Sequence, residues 1–208
     1  MTFWSQLFAG NPIVWLILLS SITAFMVFIA KWFQFHRAQV DIRELVTGLA
    51  NVLRRNGYME AISLCDNTPG PVARILGNGI KAYENGDDVK QAIGEAAVME
   101  IPRLEKYLTI LSTIAKVAPM LGLLGTVFGM ADVFYGMQTK QGGAITLSDL
   151  SGGVSEALFV TAAGLAVSIP SYIAYNYLIS RVESLALDME KASTELVNFF
   201  QHHGKGDQ

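Results

Sequence analysis

The chain has 208 residues, 51% of them hydrophobic and only 16% charged, with a formal net charge of −3. An ordinary soluble domain is about one quarter charged, so a disordered tail and an average soluble enzyme are excluded. The single Cys65 excludes an internal disulfide framework, and the acidic balance offers no basic footprint for nucleic acid. The missing charge is concentrated: residues 1–30, 117–131 and 157–180 hold no Asp, Glu, Lys or Arg. Roughly 20 apolar residues cross a bilayer core as a helix. The fold class expected is therefore all-α, a polytopic membrane protein with three transmembrane helices over about 12–31, 117–136 and 157–178.

The first segment, 1–31, reads as an outer interfacial stretch followed by the first transmembrane helix. It lacks the basic start of a secretory signal, and Lys31, Arg37 and Arg43 follow the apolar run instead, which fits an uncleaved helix. Trp4, Phe8 and Trp15 fall near its outer end and Trp32, Phe33 and Phe35 near its inner end, the depth that amphipathic rings prefer. Phe3-Trp4 and Leu7-Phe8 suit a short interfacial helix before Pro12.

Residues 32–110 read as a cytoplasmic helical insert of mixed charge. Asn56-Gly57, Pro69-Gly70-Pro71 and Asn85-Gly86-Asp87 break it into helices over 37–55, 58–66 and 71–84. Asp87 is the N-cap candidate for a last helix expected to run on without interruption into the second span. Its apolar seam is Val89, Ile93, Ala97, Ile101, Leu104, Leu108 and Leu111, with Pro102 as a point of kinking. Residues 111–180 hold the second and third spans, joined by a short outer loop at 137–153. Residues 181–208 form a cytoplasmic C-terminal helix and tail. There Leu178, Val182, Leu185, Met189, Ala192, Leu196 and Phe199 make a heptad seam, which suits either the chain's own inner helices or a ring of identical subunits.

Eight basic residues near span ends lie on one side (Lys31, Arg37, Arg43, Arg103, Lys106, Lys116, Arg181 and Lys191) against Lys140 alone on the other. The positive-inside rule then places the N-terminus outside, with the long helices extending into the cytoplasm.

The second and third spans are not uniform apolar rods. At 100° per residue, Gly122, Gly125, Thr126, Gly129, Asp132, Val133 and Gly136 fall within about 120° of one another. Ala157, Thr161, Gly164, Ser168, Ser171 and Tyr175 follow 4-3-4-3-4 spacing along one face. Small residues mark close helix approach, and hydroxyls mark interhelical bonds or a polar passage; both uses are open here. Ionisable residues near a membrane are functional candidates by default. Lys116 lies near the inner surface and suits snorkelling or an inner mouth, Asp132 lies near the outer end of its span, and Glu156 suits an acidic outer entrance above the hydroxyl-bearing face. No carboxylate falls at mid-depth, so proton conduction requires one from another chain. GLLGTVFG (122–129) has neither a preceding strand nor GK[ST] and is no phosphate loop. His36, His202 and His203 lack ligand spacing, so no metal and no cofactor is expected. Ser168, Ser171 and Tyr175 have no nearby base, so the chain is not expected to be an enzyme.

LSTIAKVAPMLGLLGTVFGM (111–130) and SEALFVTAAGLAVSIPSYIAYN (155–176) closely resemble the second and third transmembrane signatures of the ExbB/TolQ/MotA proton-channel family, nearest its ExbB/TolQ branch. The three-span, N-outside layout with a cytoplasmic insert matches as well. The resemblance implies a multi-pass protein of the bacterial inner membrane, a homopentameric ring around the helix of a small ExbD- or TolR-type single-span partner that carries the mid-membrane Asp. It implies use of proton-motive force, with a TonB-like protein as a further partner. By motif match, Thr126 and Thr161 are the pore-facing hydroxyls and Glu156 the outer acidic residue. Gly122, Gly125, Gly129, Ala157, Gly164 and Ser168 form the helix-packing face. Lys116 departs from the small or polar residue many relatives carry. A TolQ-like envelope role or a gliding or flagellar-type stator is the alternative within the family, and a structural membrane scaffold the alternative outside it.

Overall fold

The computed structural model describes residues 12–38, 42–139 and 147–203, and every described element is a helix. They are α1 (Pro12–Ala38), α2 (Ile42–Leu53), α3 (Tyr58–Asn67), α4 (Pro71–Asn85), α5 (Val89–Glu105), α6 (Leu108–Thr139) and α7 (Leu147–His203). Three helical stretches are long and apolar enough to cross a membrane: Pro12–His36, one within Val89–Gln138 and one within Ser151–His202. The expected interfacial helix with Trp4 and Phe8, and the outer Lys140, lie outside the described residues.

The chain divides into two compact units. One takes the described residues of Met1–Ile29 and Tyr107–Tyr177, the other those of Ala30–Lys106 and Leu178–Gln208. In the first, the N-terminal half of α1 packs Ile13, Val14 and Ile17 around Val160 of α7, with Leu121, Ala163 and Val167 beside them. Trp15, Leu19, Phe25 and Met26 on the other face of α1 are exposed. An exposed apolar face is what a lipid-facing helix presents.

The second unit holds α2 to α5, which pack in sequence order, and the C-terminal part of α7. Its core is Leu49, Ile75, Leu76, Ile80, Leu178 and Met189 with their neighbours. Turn chemistry sets the boundaries. Asn56 adopts φ 55 after α2, a conformation its short polar side chain tolerates. Gly70 (φ 131) precedes Pro71 at the start of α4, and Gly86 (φ 82) ends α4 with its N–H donating to the carbonyls of Ala82 and Tyr83.

Several expectations are corrected. The α5 N-cap is Asp88, not Asp87: its carboxylate accepts from the N–H groups of Lys90 and Gln91 at 2.8 and 3.2 Å. The buried stripe of α5 is Ile93, Ala96, Glu100 and Leu104, leaving Ala97 and Ile101 half-buried. Apolar spacing missed it because a carboxylate occupies one of its positions: Glu100 is 5% exposed and pairs with Arg74 at 3.1 Å and Arg103 at 2.7 Å. The expected unbroken run from α5 into α6 is interrupted at Lys106–Tyr107, where Tyr107 has φ 72. No glycine or asparagine marks that break, so composition could not place it. The loop expected at 137–153 is shorter, because α6 continues to Thr139 and α7 begins at Leu147. Polar residues can stay helical, and Gly153 lets α7 approach Val133 closely enough that a Cβ would overlap it. The helix expected at 37–55 is Ile42–Leu53, and α1 runs to Ala38 instead of stopping at 31. At the far end of α7 the buried position is Phe200, stacked on Tyr83 at 4.0 Å, with Phe199 only half-buried. A straight helix drifts about 20° per heptad from a 3.5-residue seam, which moves the last contact by one residue. Finally, Phe35 and Lys31 are buried within the protein, whereas Trp32 and Phe33 are exposed.

Candidate functional site

The small-residue stripes of α6 and α7 meet each other. Added methyl groups report the pairing: one on Gly129 would reach Ala157 Cβ at 3.1 Å, and one on Gly122 would reach Thr161 Cα at 3.1 Å. One on Gly164 would lie 2.6 Å from the carbonyl oxygen of Ala118 and 3.0 Å from Gly122 Cα. On Gly125 it would overlap Val160. These pairs run in opposite directions along the two helices, so α6 and α7 are antiparallel and in constant register. At Gly164 the two backbones come so near that there is no room for a side chain on α7.

Hydroxyls reinforce the crossing. Thr161 Oγ1 donates to the Gly122 carbonyl at 3.0 Å, and Ser168 Oγ donates to the Ala115 carbonyl at 2.6 Å in a buried position. The second bond has a cause in the sequence. Pro119 has no N–H, so the carbonyl four residues before it, that of Ala115, lacks the amide partner a regular helix would give it. In a membrane such a freed carbonyl needs a replacement donor, and Ser168 is that donor. The signal was available, since a mid-span proline always identifies the carbonyl it orphans; its partner on α7 was not.

Thr126 is placed differently. Its hydroxyl donates to Leu123 of its own helix at 2.6 Å, leaving the oxygen lone pairs as acceptors on a half-exposed side chain. Glu156, half-buried, precedes Ala157 (3% exposed), which faces Gly129. By that register Glu156 stands about one helical turn from the level of Thr126. Lys116 and Asp132 are exposed and take no part in the crossing. Ser171 donates to Val167 of its own helix at 2.7 Å.

Of the residues expected at the site, the structure thus brings together Gly122, Gly125, Gly129, Ala157, Thr161, Gly164 and Ser168. It leaves Thr126 and Glu156 on the flank of the pair. Spacing alone missed Val160 and the α1 residues Ile13, Val14 and Ile17, which close one side of it. Along α6, Met120, Leu123 and Val127 remain exposed, as do Leu158, Ile169 and Ile173 on α7. Among the described residues no group of three or more His, Cys, Asp or Glu could hold a metal ion.

The MotA/TolQ/ExbB proton channel family model matches residues 67–191. The biopolymer transport protein ExbB of Neisseria meningitidis is 26% identical, over 90% of this chain and 92% of its own length. The putative ExbB homolog of Methanothermobacter thermautotrophicus is 28% identical over 84% of this chain, which spans only 62% of that protein. The Tol-Pal system protein TolQ of Pseudomonas aeruginosa is 39% identical over 48% of this chain and 42% of its own length.

Proposed function

This chain belongs to the MotA/TolQ/ExbB proton channel family, and from that membership we propose that it is the channel-forming subunit of a proton-motive-force-driven complex of the bacterial inner membrane, driving TonB-type transport. The N-terminus faces outward, and the 32–110 insert and the 181–208 segment lie in the cytoplasm. Copies assemble as a pentameric ring around the helix of an ExbD- or TolR-type single-span protein carrying a mid-membrane Asp. Exposed Val98, Met99 and Leu187, with a groove between α5 and α7 lined by Ala97, Ile101, Ala186 and Val197, support contact with a second copy.

The observation that carries this reading is the position of Thr126, a hydroxyl bonded only within its own helix and about one turn from a carboxylate on the next. A partner carboxylate is costly in hydrocarbon when ionised and gains from hydroxyl and acid groups along such a flank. Glu156 collects the proton outside, protonation of the partner removes its charge, and the partner helix shifts against the ring. Release past Lys116 resets it. Each proton brings about 2.3 kcal/mol per 100 mV, enough to bias a step of modest cost. Thr161, bonded to α6, holds the wall of this path as well as lining it.

The test is Thr126→Val, which nearly preserves volume. Assembly with the partner, read by co-purification, is expected to persist, while proton-driven uptake falls at least about tenfold, one tenfold step being about 1.4 kcal/mol. Unchanged uptake would leave a structural scaffold as the better description. The TolQ match favours a second reading, envelope maintenance; complementation of strains lacking either system separates the two.

A further inference from the structure

Lys31 is 3% exposed, and its ammonium lies inside the protein without an ion pair to any carboxylate among the described residues. It donates to the Leu104 carbonyl at 2.9 Å and stands 5.5 Å from the centre of the Phe35 ring, with the like charge of Lys106 acting on it. A buried cation needs compensation of several kcal/mol, and Leu104 shows where it comes from. It lies in the last turn of α5, which ends at Glu105, and the last four carbonyls of a helix have no amide partner within it. Those carbonyls carry the negative end of the helix dipole, about half an elementary charge, and a cation there is stabilising. The Phe35 ring face adds a second weak negative surface. Three residues beyond Leu104, Tyr107 is held at φ 72, which disfavours any residue with a bulky side chain. Such a conformation persists only where its surroundings over-determine it.

We propose that Lys31 is an interhelix cap: its ammonium, carried on the C-terminal part of α1, closes the C-terminus of α5 and holds its last turn. The cap does not depend on the functional reading above.

The full chain in lipid nanodiscs tests this. Hydrogen exchange by mass spectrometry reads the cap: in Lys31→Met, amides of residues 103–106 are expected to exchange about tenfold faster, the size of one charge-assisted hydrogen bond. Amides of α4 are expected to stay as they were, and Lys31→Arg, which keeps the charge and the donors, to restore most of the protection. Unchanged exchange at 103–106 in Lys31→Met, an equal rise throughout α4, or no rescue by Lys31→Arg would each overturn the cap.

Discussion

A methyl group at Gly164 would meet backbone, the Ala118 carbonyl at 2.6 Å and Gly122 Cα at 3.0 Å, and backbone cannot turn aside as a side chain can. Gly164→Ala is therefore expected to cost about 1–3 kcal/mol by overpacking. Gly152→Ala on the same helix meets nothing within 4 Å and is expected to be neutral or to gain about 0.5–1 kcal/mol. Unfolding by denaturing detergent measures both. Ser168→Ala removes the donor that replaces the Pro119 amide, and interhelical bonds of this kind average about 0.6 kcal/mol with a maximum near 1.7. A loss in the upper half of that range is expected, because Pro119 supplies no amide to the Ala115 carbonyl. In the other unit Cys65 is 2% exposed, and burial, aided by the Asp66 charge, pushes its thiol from 9.0 up to about 11. The folded state thus favours the protonated thiol. Its contribution to stability is full below about pH 9 and is lost as pH rises through about 11. Near pH 8 a maleimide is expected to label Cys65 only after unfolding; rapid native labelling would contradict that environment.

At the scale of elements, the start of α5 discriminates two adjacent carboxylates. Asp88→Ala removes the acceptor for the N–H groups of Lys90 and Gln91 and is expected to cost about 1 kcal/mol, while Asp87→Ala is expected to change stability by a few tenths. Thermal unfolding of the two variants side by side checks this. The Asn-Gly and Pro-Gly-Pro signals placed the α2–α3 and α3–α4 boundaries within two residues because their backbone demands are local. The α5–α6 break was not legible, since a tyrosine at positive φ is imposed by its surroundings and not by its own preference. The stripe of α5 departs from apolar spacing for a related reason: Glu100 is tolerated in the interior because Arg103 of its own helix and Arg74 of α4 both pair with it, and the second partner is one that a single helix's periodicity cannot reveal. Along the α7 seam Leu178, Val182, Met189, Ala192 and Leu196 are buried as their spacing requires, with Leu185 half-buried, over a stretch where an apolar period of 3.5 and the helical 3.6 stay close.

For the whole molecule, no span holds a carboxylate at mid-depth, so the chain reconstituted alone is expected to pass few protons. Addition of a single-span protein with a membrane-embedded Asp is expected to raise flux at least about tenfold, measured by dye quenching in vesicles under an imposed potential of about 100 mV. Substantial flux through this chain alone would remove the argument for a borrowed acid. Charge-free runs and helical periodicity determined by themselves that the protein is all-helical with three candidate spans, because transfer of apolar surface out of water depends on composition and the backbone must bond within its own segment in lipid. They also determined that α6 and α7 each carry a small face. Only the tertiary structure decided that these faces meet at Gly122 and Gly164, that Thr161 and Ser168 donate across the contact, and that Lys31 turns inward to the end of α5. A period states which residues share a face; register and hydrogen-bond partners depend on the position of a second helix, and that is set by packing between segments far apart in the chain.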